Sequence, residues 1–290
     1  MKTIKYFFQF ICIISLFCIF KIIGLRNASN IGSLLGKYIG PYFRSIKVIK
    51  KNIKIGLGEI GDDKEKEIIN GMWKNIGRTF SEYVFLKNFK FNKKNFEYVK
   101  ITGLNYLDEI KKSKKPVIFF SGHFANFELM AMELEKSGIK TAAIYRPLNN
   151  FFLNPVMEYL RMKYICPNQI PKGRLGTRQI INKIKEGYSV ALMVDQRVGE
   201  GPRIPFFKYP AQTTTLPAQL ALKFGCKLVP ISIERKKDID FEMTVHSPYE
   251  IEKTNNGDNA KNITLKINQI IEKMIVKNPT QWIWSHNRWK

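Results

Sequence analysis

A histidine and a glutamate five residues apart are the first residues in this chain whose types suit acid–base chemistry. His123 follows an apolar run at 117–120 and the break Ser121-Gly122, and Glu128 lies inside a helix-forming stretch. A neutral imidazole can take a proton from a hydroxyl near neutral pH. A carboxylate on its other nitrogen would fix the tautomer and stabilise the imidazolium. The pattern therefore indicates a general base, His123, with Glu128 as its partner.

The spacing of this pair restricts where it can work. On a straight helix, side chains five positions apart point about 140° away from each other. His123 and Glu128 can meet only if His123 lies at or before the helix cap, where Gly122 eases the turn. A histidine at the cap beside a solvated glutamate is the alternative, and spacing alone favours it.

The same arrangement of a predicted strand followed by polar residues occurs three times. The predicted strands at 117–120, 140–145 and 188–194 are followed by His123, by Arg146 and by Asp195-Gln196-Arg197, respectively. Short apolar runs between helical stretches predict an α/β domain whose central, mostly parallel sheet is flanked by helices. Ligands bind such sheets at the carboxyl ends of the strands, so we expect these polar residues to share one site.

Composition limits the class of protein and its partners. The 290 residues are 44% apolar and 13% aromatic, which argues against disorder. A net charge of +24, from 48 basic and 24 acidic residues, indicates an anionic partner, although an abundance of Lys, Asn and Ile throughout the chain is the plainer explanation. The charge is spread along the chain, which weakens the case for nucleic acid.

Cofactor motifs are missing from the sequence. Its four cysteines, Cys12, Cys18, Cys166 and Cys226, form no C-x-x-C pair and have no zinc spacing with the three histidines. The sequence contains no Gly-rich phosphate loop, dinucleotide fingerprint or Gly-x-Ser-x-Gly elbow. The cysteine pattern fits a reducing compartment.

The N-terminal segment predicts a membrane anchor. Residues 6–20 are almost wholly apolar, and 22–25 extend them to about the 20 residues that span a bilayer. We predict a retained anchor at 1–26 and a single domain at 27–290, of which 27–100 is helical and close to the membrane. More Lys and Arg follow the segment than precede it, so the domain should face the cytoplasm. A signal peptide or a helix lying in the interface are the alternatives.

Together, these motifs make the chain resemble the bacterial lipid A biosynthesis acyltransferases, the late acyltransferases of lipopolysaccharide assembly. The resemblance covers nearly the whole length. The matching segments are the N-terminal membrane segment, Gly-His-Phe-Ala-Asn-Phe-Glu (122–128), Tyr-Arg-Pro (145–147), Arg161, Val-Ala-Leu-Met-Val-Asp-Gln (190–196), Pro-Phe-Phe (205–207), Ala-Gln-Thr-Thr-Thr (211–215), Leu-Val-Pro (228–230) and the tryptophan-rich ending at 279–289. The histidine–acid element is shared with glycerolipid acyltransferases, whereas the Asp-Gln block and the ending are more specific.

The resemblance implies a reaction and a set of site residues. His123, oriented by Glu128, would deprotonate a hydroxyl of a lipid A precursor at the inner membrane. The alkoxide would attack the thioester of an acyl carrier protein directly, with no acyl-enzyme and no metal or organic cofactor. Arg161 would donate to the oxyanion, and Asp195 would orient Arg161 or a substrate group. The weaker candidates, for binding substrate phosphates or sugars, are Arg146, Arg174, Gln196 and Arg197.

Two other functions compete with this interpretation. The first is acylation of a different membrane lipid, such as a lysophospholipid or a glycolipid. The second is a non-catalytic basic protein at a membrane surface or on nucleic acid, for which loss of His123 would be harmless and binding would fall steeply with salt.

Overall fold

The apolar runs found in the sequence become neighbouring strands of one sheet. The computed structural model describes residues 2–91, 97–249, 251 and 259–290. Among these residues, seven strands pair in the order β1-β9-β8-β2-β5-β3-β4. These strands are β1 Val99–Thr102, β2 Ile118–Ser121, β3 Thr141–Tyr145, β4 Asn168–Pro171, β5 Ser189–Met193, β8 Leu228–Lys237 and β9 Asp240–Val245. All the pairings are parallel except that of β8 with β9, so the predicted fold class is confirmed.

The central strands are covered on both faces. Ile118, Phe119 and Phe120 in β2 and Val190 in β5 are fully buried. A parallel strand with helices over both faces has no solvent side, which explains why these strands are continuous apolar runs and do not alternate.

Helices cover the sheet and provide all the regular secondary structure of residues 2–91. They are α1 Lys2–Ile23, α2 Leu25–Ile39, α3 Ile46–Leu57, α4 Asp62–Glu82, α5 Leu86–Lys90, α6 Leu104–Ser113, α7 Glu128–Lys136, α8 Asn154–Leu160, α9 Arg174–Lys185, α10 Leu216–Phe224 and α11 Ala260–Lys277. By length and composition, α1 could cross a membrane, and only 11% of its most apolar window is buried by the rest of the protein. This helix suggests membrane association. The predicted boundary at residue 26 and the division into anchor and domain stay predictions.

Three regions differ from the sequence-based expectation or extend beyond it. The helix after His123 begins at Glu128, because residues 124–127 form a turn. The Gly/Pro-rich segment near 200 contains a hairpin of β6 Arg203–Phe206 and β7 Tyr209–Gln212, where a loop was expected. The aromatic stretch near 80–96 packs into the core at Tyr83, Phe85 and Phe89, and its residues 92–96 lie outside the described part of the chain.

The predicted convergence of polar residues is confirmed by the strand order. Strands β2, β5 and β3 are adjacent and parallel, so the residues that follow them lie at the same edge of the sheet. His123, Asp195 and Arg146 all follow these strands. The C-terminal segment at 279–290 packs against this part of the fold, with Trp282 and Trp284 buried.

Candidate active site

His123 is held by Asp195, the residue that follows β5 by two positions. The imidazole Nδ1 lies 2.7 Å from Asp195 Oδ1, and the backbone N–H of His123 donates to Asp195 Oδ2 at 2.8 Å. Burial alone would lower the pKa of His123, but the charge and hydrogen bond of Asp195 outweigh it and raise that pKa above its ordinary value. Burial acts to raise the pKa of Asp195, but its contacts with His123 bring it down to about 2. These shifts describe a carboxylate that stabilises an imidazolium.

Glu128 is paired with Arg161. Its Oε1 accepts hydrogen bonds from Arg161 Nε at 3.1 Å, from Arg161 Nη2 at 2.7 Å and from the Tyr83 hydroxyl at 2.8 Å. Burial, followed by the charge of Glu128, raises the pKa of Tyr83 well above its usual range, so Tyr83 stays a donor. Arg161 opens a π-helical turn at Arg161–Ile165, a distortion often found at functional sites.

One sequence-based assignment is therefore wrong, and a second is narrowed. Glu128 does not orient the imidazole, because the Nδ1 partner of His123 is Asp195. Asp195 binds His123 and Trp282 while Arg161 binds Glu128, so of the two roles predicted for Asp195 the one toward a substrate group stays a prediction. His123 lies before the start of α7, as the predicted pairing required, but the turn at 122–127 directs its ring toward the loop after β5.

That turn depends on a backbone conformation unusual for alanine. Ala125 has a φ of 43°, in the left-handed region that L-residues seldom adopt. Its N–H donates to the Gln281 carbonyl at 3.0 Å, and its own carbonyl accepts from Asn75 Nδ2 and Thr79 Oγ1, both at 3.1 Å. Three hydrogen bonds from outside the turn thus offset the cost of the strained residue.

A buried ion pair holds the next residue of the turn. The Asn126 amide donates to Glu82 Oε2 at 2.9 Å. Glu82 is fully buried and binds Arg235 through two hydrogen bonds of 2.6 and 3.0 Å. Removing either charge would leave the other buried and unpaired, which costs about 3–5 kcal/mol. Helix α4, which carries Asn75, Thr79 and Glu82, is therefore part of the support for His123.

Trp282 is a site residue that the sequence analysis did not identify. Its indole Nε1 donates to Asp195 Oδ2 at 2.8 Å, and its backbone forms an isolated bridge with Phe124. Tyr83 is a second such residue. A buried indole or phenol usually finds a hydrogen-bond partner. The tryptophan-rich ending and the aromatic stretch therefore indicated that such donors exist, but not which residues accept from them.

A cavity of about 480 Å³ opens beside His123. Its apolar lining includes Met130, Ala131, Ala143, Ile144, Ile165, Ala191, Leu192, Met193 and Ile231. Its polar lining includes His123, Glu128, Arg146, Arg161, Lys172 and Gln196. The cavity thus joins an apolar interior to a group of cations and a titratable base.

Arg161 lines this cavity and has one donor without a partner among the described residues. Its Nη1 is buried and has no hydrogen-bond partner among the described residues, whereas Nε and Nη2 are both held by Glu128. Tyr83 and Tyr145 place their rings 5.7 and 5.6 Å from the guanidinium carbon. A buried, unsatisfied donor on a fixed cation suits an oxygen that gains negative charge.

The other predicted residues fall into two groups. Arg146 and Gln196 line the cavity, and Gln196 Nε2 lies 3.4 Å from His123 Nε2. Arg174 begins α9 and Arg197 donates to Gln212, and neither lines the cavity. Lys172, which was not predicted, does line it. Burial, then the charge of Arg146, lowers the pKa of Lys172.

Comparison with known protein families identifies the class of enzyme. A family model described as bacterial lipid A biosynthesis acyltransferase matches residues 1–290. The chain belongs to this family. The acyltransferase is 24% identical over 269 residues to the lipid A biosynthesis lauroyltransferase of Escherichia coli K12, which covers 90% of this chain and 84% of that protein. It is also 24% identical to the lipid A biosynthesis acyltransferase of Haemophilus influenzae over 255 residues, or 85% and 78% of the two chains.

Family membership confirms the resemblance seen in the sequence, and it makes this protein an acyltransferase of lipid A biosynthesis. It implies a lipid A precursor as a substrate. Among the described residues, no group of three or more His, Cys, Asp or Glu is placed to hold a metal ion. The expectations that no cofactor is needed and that nucleic acid is not a partner stay predictions.

Proposed function

We propose that this acyltransferase moves a fatty acyl chain from acyl carrier protein to a hydroxyl of a lipid A precursor, with His123 as the general base. The observation that supports this best is the orientation of the imidazole. Asp195 binds Nδ1, and Nε2 is therefore the nitrogen left to accept a proton. His123 also lines a cavity with an apolar interior, which suits a fatty acyl chain.

The proposed reaction needs no covalent acyl-enzyme. The acceptor hydroxyl gives its proton to His123 Nε2, and its oxygen forms a bond to the thioester carbonyl carbon. The tetrahedral intermediate then collapses, the carbon–sulfur bond breaks, and the leaving thiolate takes the proton from the imidazolium. Asp195 stabilises the imidazolium during both steps, which is consistent with the raised pKa of His123.

Arg161 is our candidate for stabilising the oxyanion. Arg161 lines the same cavity as His123, and its buried Nη1 has no hydrogen-bond partner among the described residues. Preorganised donors in a site shielded from water stabilise developing charge at little reorganisation cost. Glu128 and Tyr83 would then act through Arg161 by fixing its position, a role different from the one predicted for Glu128.

The distribution of charge suits both proposed substrates. Arg146 and Lys172 line the cavity close enough for the charge of Arg146 to lower the pKa of Lys172. Bound phosphate would relieve their repulsion, and a lipid A precursor carries phosphate. The net charge of +24 favours encounter with an acidic carrier protein.

The proposed location is the bacterial inner membrane, with the catalytic domain in the cytoplasm. Lys2 and Lys5 precede the apolar part of α1, whereas Arg26, Lys37, Arg44, Lys47, Lys50 and Lys51 follow it. The side with more basic residues normally stays in the cytoplasm.

The test is an acyl-transfer assay with full-length enzyme in detergent, acyl carrier protein charged with a fatty acid, and a lipid A precursor that has a free hydroxyl on a 3-hydroxyacyl chain. Mass spectrometry should show a gain of one acyl chain. His123→Ala should reduce the rate roughly 10²- to 10⁴-fold. His246→Gln is the matched control, because His246 lies outside the cavity and bonds Ser232.

Three results would overturn parts of the proposal. Transfer that survives His123→Ala would exclude His123 as the base. An acyl adduct on the intact protein after mixing with the donor alone would exclude direct transfer. If acyl-coenzyme A supports a faster rate than the carrier-bound thioester, the assignment of the donor is wrong.

A further inference from the structure

Helix α2 buries small residues and exposes large apolar ones, which is the reverse of a helix in a soluble protein. Its buried residues include Ala28, Ser29, Gly32, Ser33 and Gly36. Its large apolar residues Ile31, Leu34, Tyr38 and Ile39 are between 41% and 63% exposed. A helix on a soluble domain buries its large apolar residues. The outward face of α2 therefore suits an apolar environment outside the protein.

The small residues explain why α2 holds this orientation. Ala28, Gly32, Gly36 and Gly40 recur every four residues and bring α2 close to α4. A Cβ added at Gly36 would lie 2.1 Å from the Trp73 carbonyl oxygen, and one at Gly77 of α4 would lie 2.0 Å from the Gly32 carbonyl oxygen. No side chain fits between the two backbones. Stripes of this kind pack helices together in membranes, where large side chains face lipid.

The exposed apolar surface continues beyond α2. Tyr42 and Phe43, in the turn after the helix, are 89% and 79% exposed, and Ile46 at the start of α3 is 45% exposed. Helix α2 also contacts α1, whose Ile4, Phe8 and Ile22 are exposed. An apolar patch of this extent on a soluble protein marks an interaction site.

The charge of this region indicates what covers the patch. Residues 2–58 contain ten basic residues, Lys2, Lys5, Lys21, Arg26, Lys37, Arg44, Lys47, Lys50, Lys51 and Lys54, and no Asp or Glu. A second copy of the chain would bring the same positive charge against itself. Anionic lipid headgroups attract basic residues near a membrane surface.

We propose that α2 and the turn at 40–43 lie in the interface of an anionic bilayer and form a second membrane contact beside α1. At 15 residues, α2 is too short to span a bilayer, and it carries Arg26 and Lys37. A helix of this kind lies in the plane of the headgroups. The contact is separate from acyl transfer and holds whether or not the proposed reaction is correct.

This contact would connect the membrane to the catalytic turn. Helix α2 packs on α4, and α4 supplies Asn75 and Thr79 to the carbonyl of Ala125. The Ser29 hydroxyl of α2 also donates to Glu82 at 2.7 Å. The depth of α2 in the interface would thus fix the height of the cavity above the bilayer.

Depth-dependent fluorescence quenching of the full-length protein in vesicles tests the proposal. A single cysteine at position 42 (Tyr42→Cys) or 34 (Leu34→Cys) is labelled with an environment-sensitive dye. Cys12 and Cys18 are changed to alanine in this background, and Cys166 and Cys226 are buried. Leu222→Cys is the matched control, because Leu222 is a large apolar residue, 44% exposed, on α10. A further variant, in which Cys12 is kept and labelled and Cys18 is changed to alanine, reports on α1.

The expected result has three parts. Dyes at positions 34 and 42 should shift to the blue and be quenched more by nitroxides near the headgroups than by nitroxides deep in the acyl chains. The dye at position 222 should be unaffected by either. Replacing phosphatidylcholine with phosphatidylglycerol in part of the vesicle lipid should increase the quenching at position 42, and added salt should reduce that increase.

Three other results would overturn the proposal. Quenching at Cys12 without quenching at positions 34 and 42 would mean that α1 contacts the membrane and α2 does not. Equal quenching at positions 42 and 222 would mean unspecific adsorption. Self-quenching of the dye at position 42 that rises with protein density, without nitroxide quenching, would assign the patch to a second copy of the chain. None of these readouts depends on catalytic activity.

Discussion

Two carboxylates near the cavity, Asp195 and Glu128, bind different kinds of basic group, although both lie at the same end of the sheet. Asp195 holds His123, a group that gains and loses a proton near neutral pH. Glu128 holds Arg161, a group that stays charged at all pH values of interest. The first pair is suited to moving a proton and the second to holding a fixed positive charge. The identity of the cation, not the carboxylate, sets what each pair can do.

Each carboxylate also accepts a hydrogen bond from one neutral aromatic donor. Trp282 donates to Asp195 and Tyr83 donates to Glu128, both at 2.8 Å. The two clusters are thus built alike, from one carboxylate, one cation and one aromatic donor. Substitutions at matching positions should change the pH dependence strongly in the first cluster and at most slightly in the second.

Asp195→Asn should have the largest effect in this comparison. Two donors, the His123 N–H and the Trp282 indole, share Oδ2, so the asparagine oxygen should occupy that position. Its NH₂ group would then face Nδ1, and the neutral imidazole would carry its proton on Nε2, where it cannot accept one. We expect kcat/KM to fall roughly 10³- to 10⁴-fold, as for the wrong tautomer in other histidine bases.

The control for this prediction is Asp108→Asn, which removes a charge from the exposed face of α6. It should leave the rate unchanged. A rate for Asp195→Asn within tenfold of the wild type would mean that Asp195 does not set the tautomer.

Glu128→Gln should have the second-largest effect on rate, with only a slight change in pH dependence. Arg161 would keep a hydrogen-bond acceptor but lose the opposite charge that offsets its burial, and Nη1 would be less well fixed. We expect kcat to fall about 10²-fold, the loss associated with one oxyanion donor. Glu128 makes a smaller contribution than Asp195 to raising the pKa of His123. The acid limb of kcat/KM should therefore move slightly to lower pH and stay present.

Glu109→Gln on α6 is the matched control, because Glu109 is exposed. Loss of the acid limb in Glu128→Gln would restore Glu128 as the partner of the base and contradict the division of roles between the two pairs.

The sequence was sufficient to predict which residues meet at the edge of the sheet. Continuous apolar runs identified β2, β3 and β5, and parallel strands bring whatever follows them together. This is why His123, Arg146 and Asp195 could be expected in one place from a single sequence. The contacts within the site were harder to predict, because they depend on the path of a few turn residues.

The pairing of His123 shows this difference. Spacing alone related His123 to Glu128, five residues away, but the partner is 72 residues away. The direction of the ring depends on the left-handed Ala125 and on hydrogen bonds from Asn75, Thr79 and Gln281. None of these has a local signature, since alanine rarely adopts a positive φ. The β6–β7 hairpin was missed for a related reason, because Pro205 and Pro210 usually argue against a strand and here lie in an isolated two-stranded ribbon.

Trp282→Phe should have a moderate effect on rate and a specific effect on titration. Asp195 would lose a neutral donor, so its charge would be less compensated and would stabilise the imidazolium more. The pKa of His123 should rise further, and the acid limb of kcat/KM should move to higher pH. The lost hydrogen bond to a charged group, about 1.5 kcal/mol, corresponds to a rate roughly tenfold lower.

Nuclear magnetic resonance of ¹⁵N-histidine-labelled protein measures this shift without any assay of activity. The chain has three histidines. Burial lowers the pKa of His246, and it lowers that of His286 to about 4, whereas that of His123 is raised. The midpoint above the ordinary value therefore identifies His123. Its charged neighbours Asp195, Glu128 and Arg161 and the titratable His286 are all retained in the variant.

Trp284→Phe is the control for Trp282→Phe, because the Trp284 indole donates to the Pro279 carbonyl and not to Asp195. It should leave the midpoint of His123 unchanged. A lower or constant midpoint in Trp282→Phe would reduce Trp282 to a packing residue.

Tyr83→Phe should have the smallest effect, and it completes the comparison of the two aromatic donors. Glu128 would keep both N–H donors of Arg161, so the loss of one hydrogen bond, about 1 kcal/mol, should lower kcat only about fivefold. Arg161 does not titrate, and the midpoint of His123 should therefore stay at its wild-type value. Tyr106→Phe on α6 is the control for loss of a phenol hydroxyl. A shift in Tyr83→Phe as large as that in Trp282→Phe would mean that the two clusters titrate as one unit, and the separate roles of Asp195 and Glu128 would have to be abandoned.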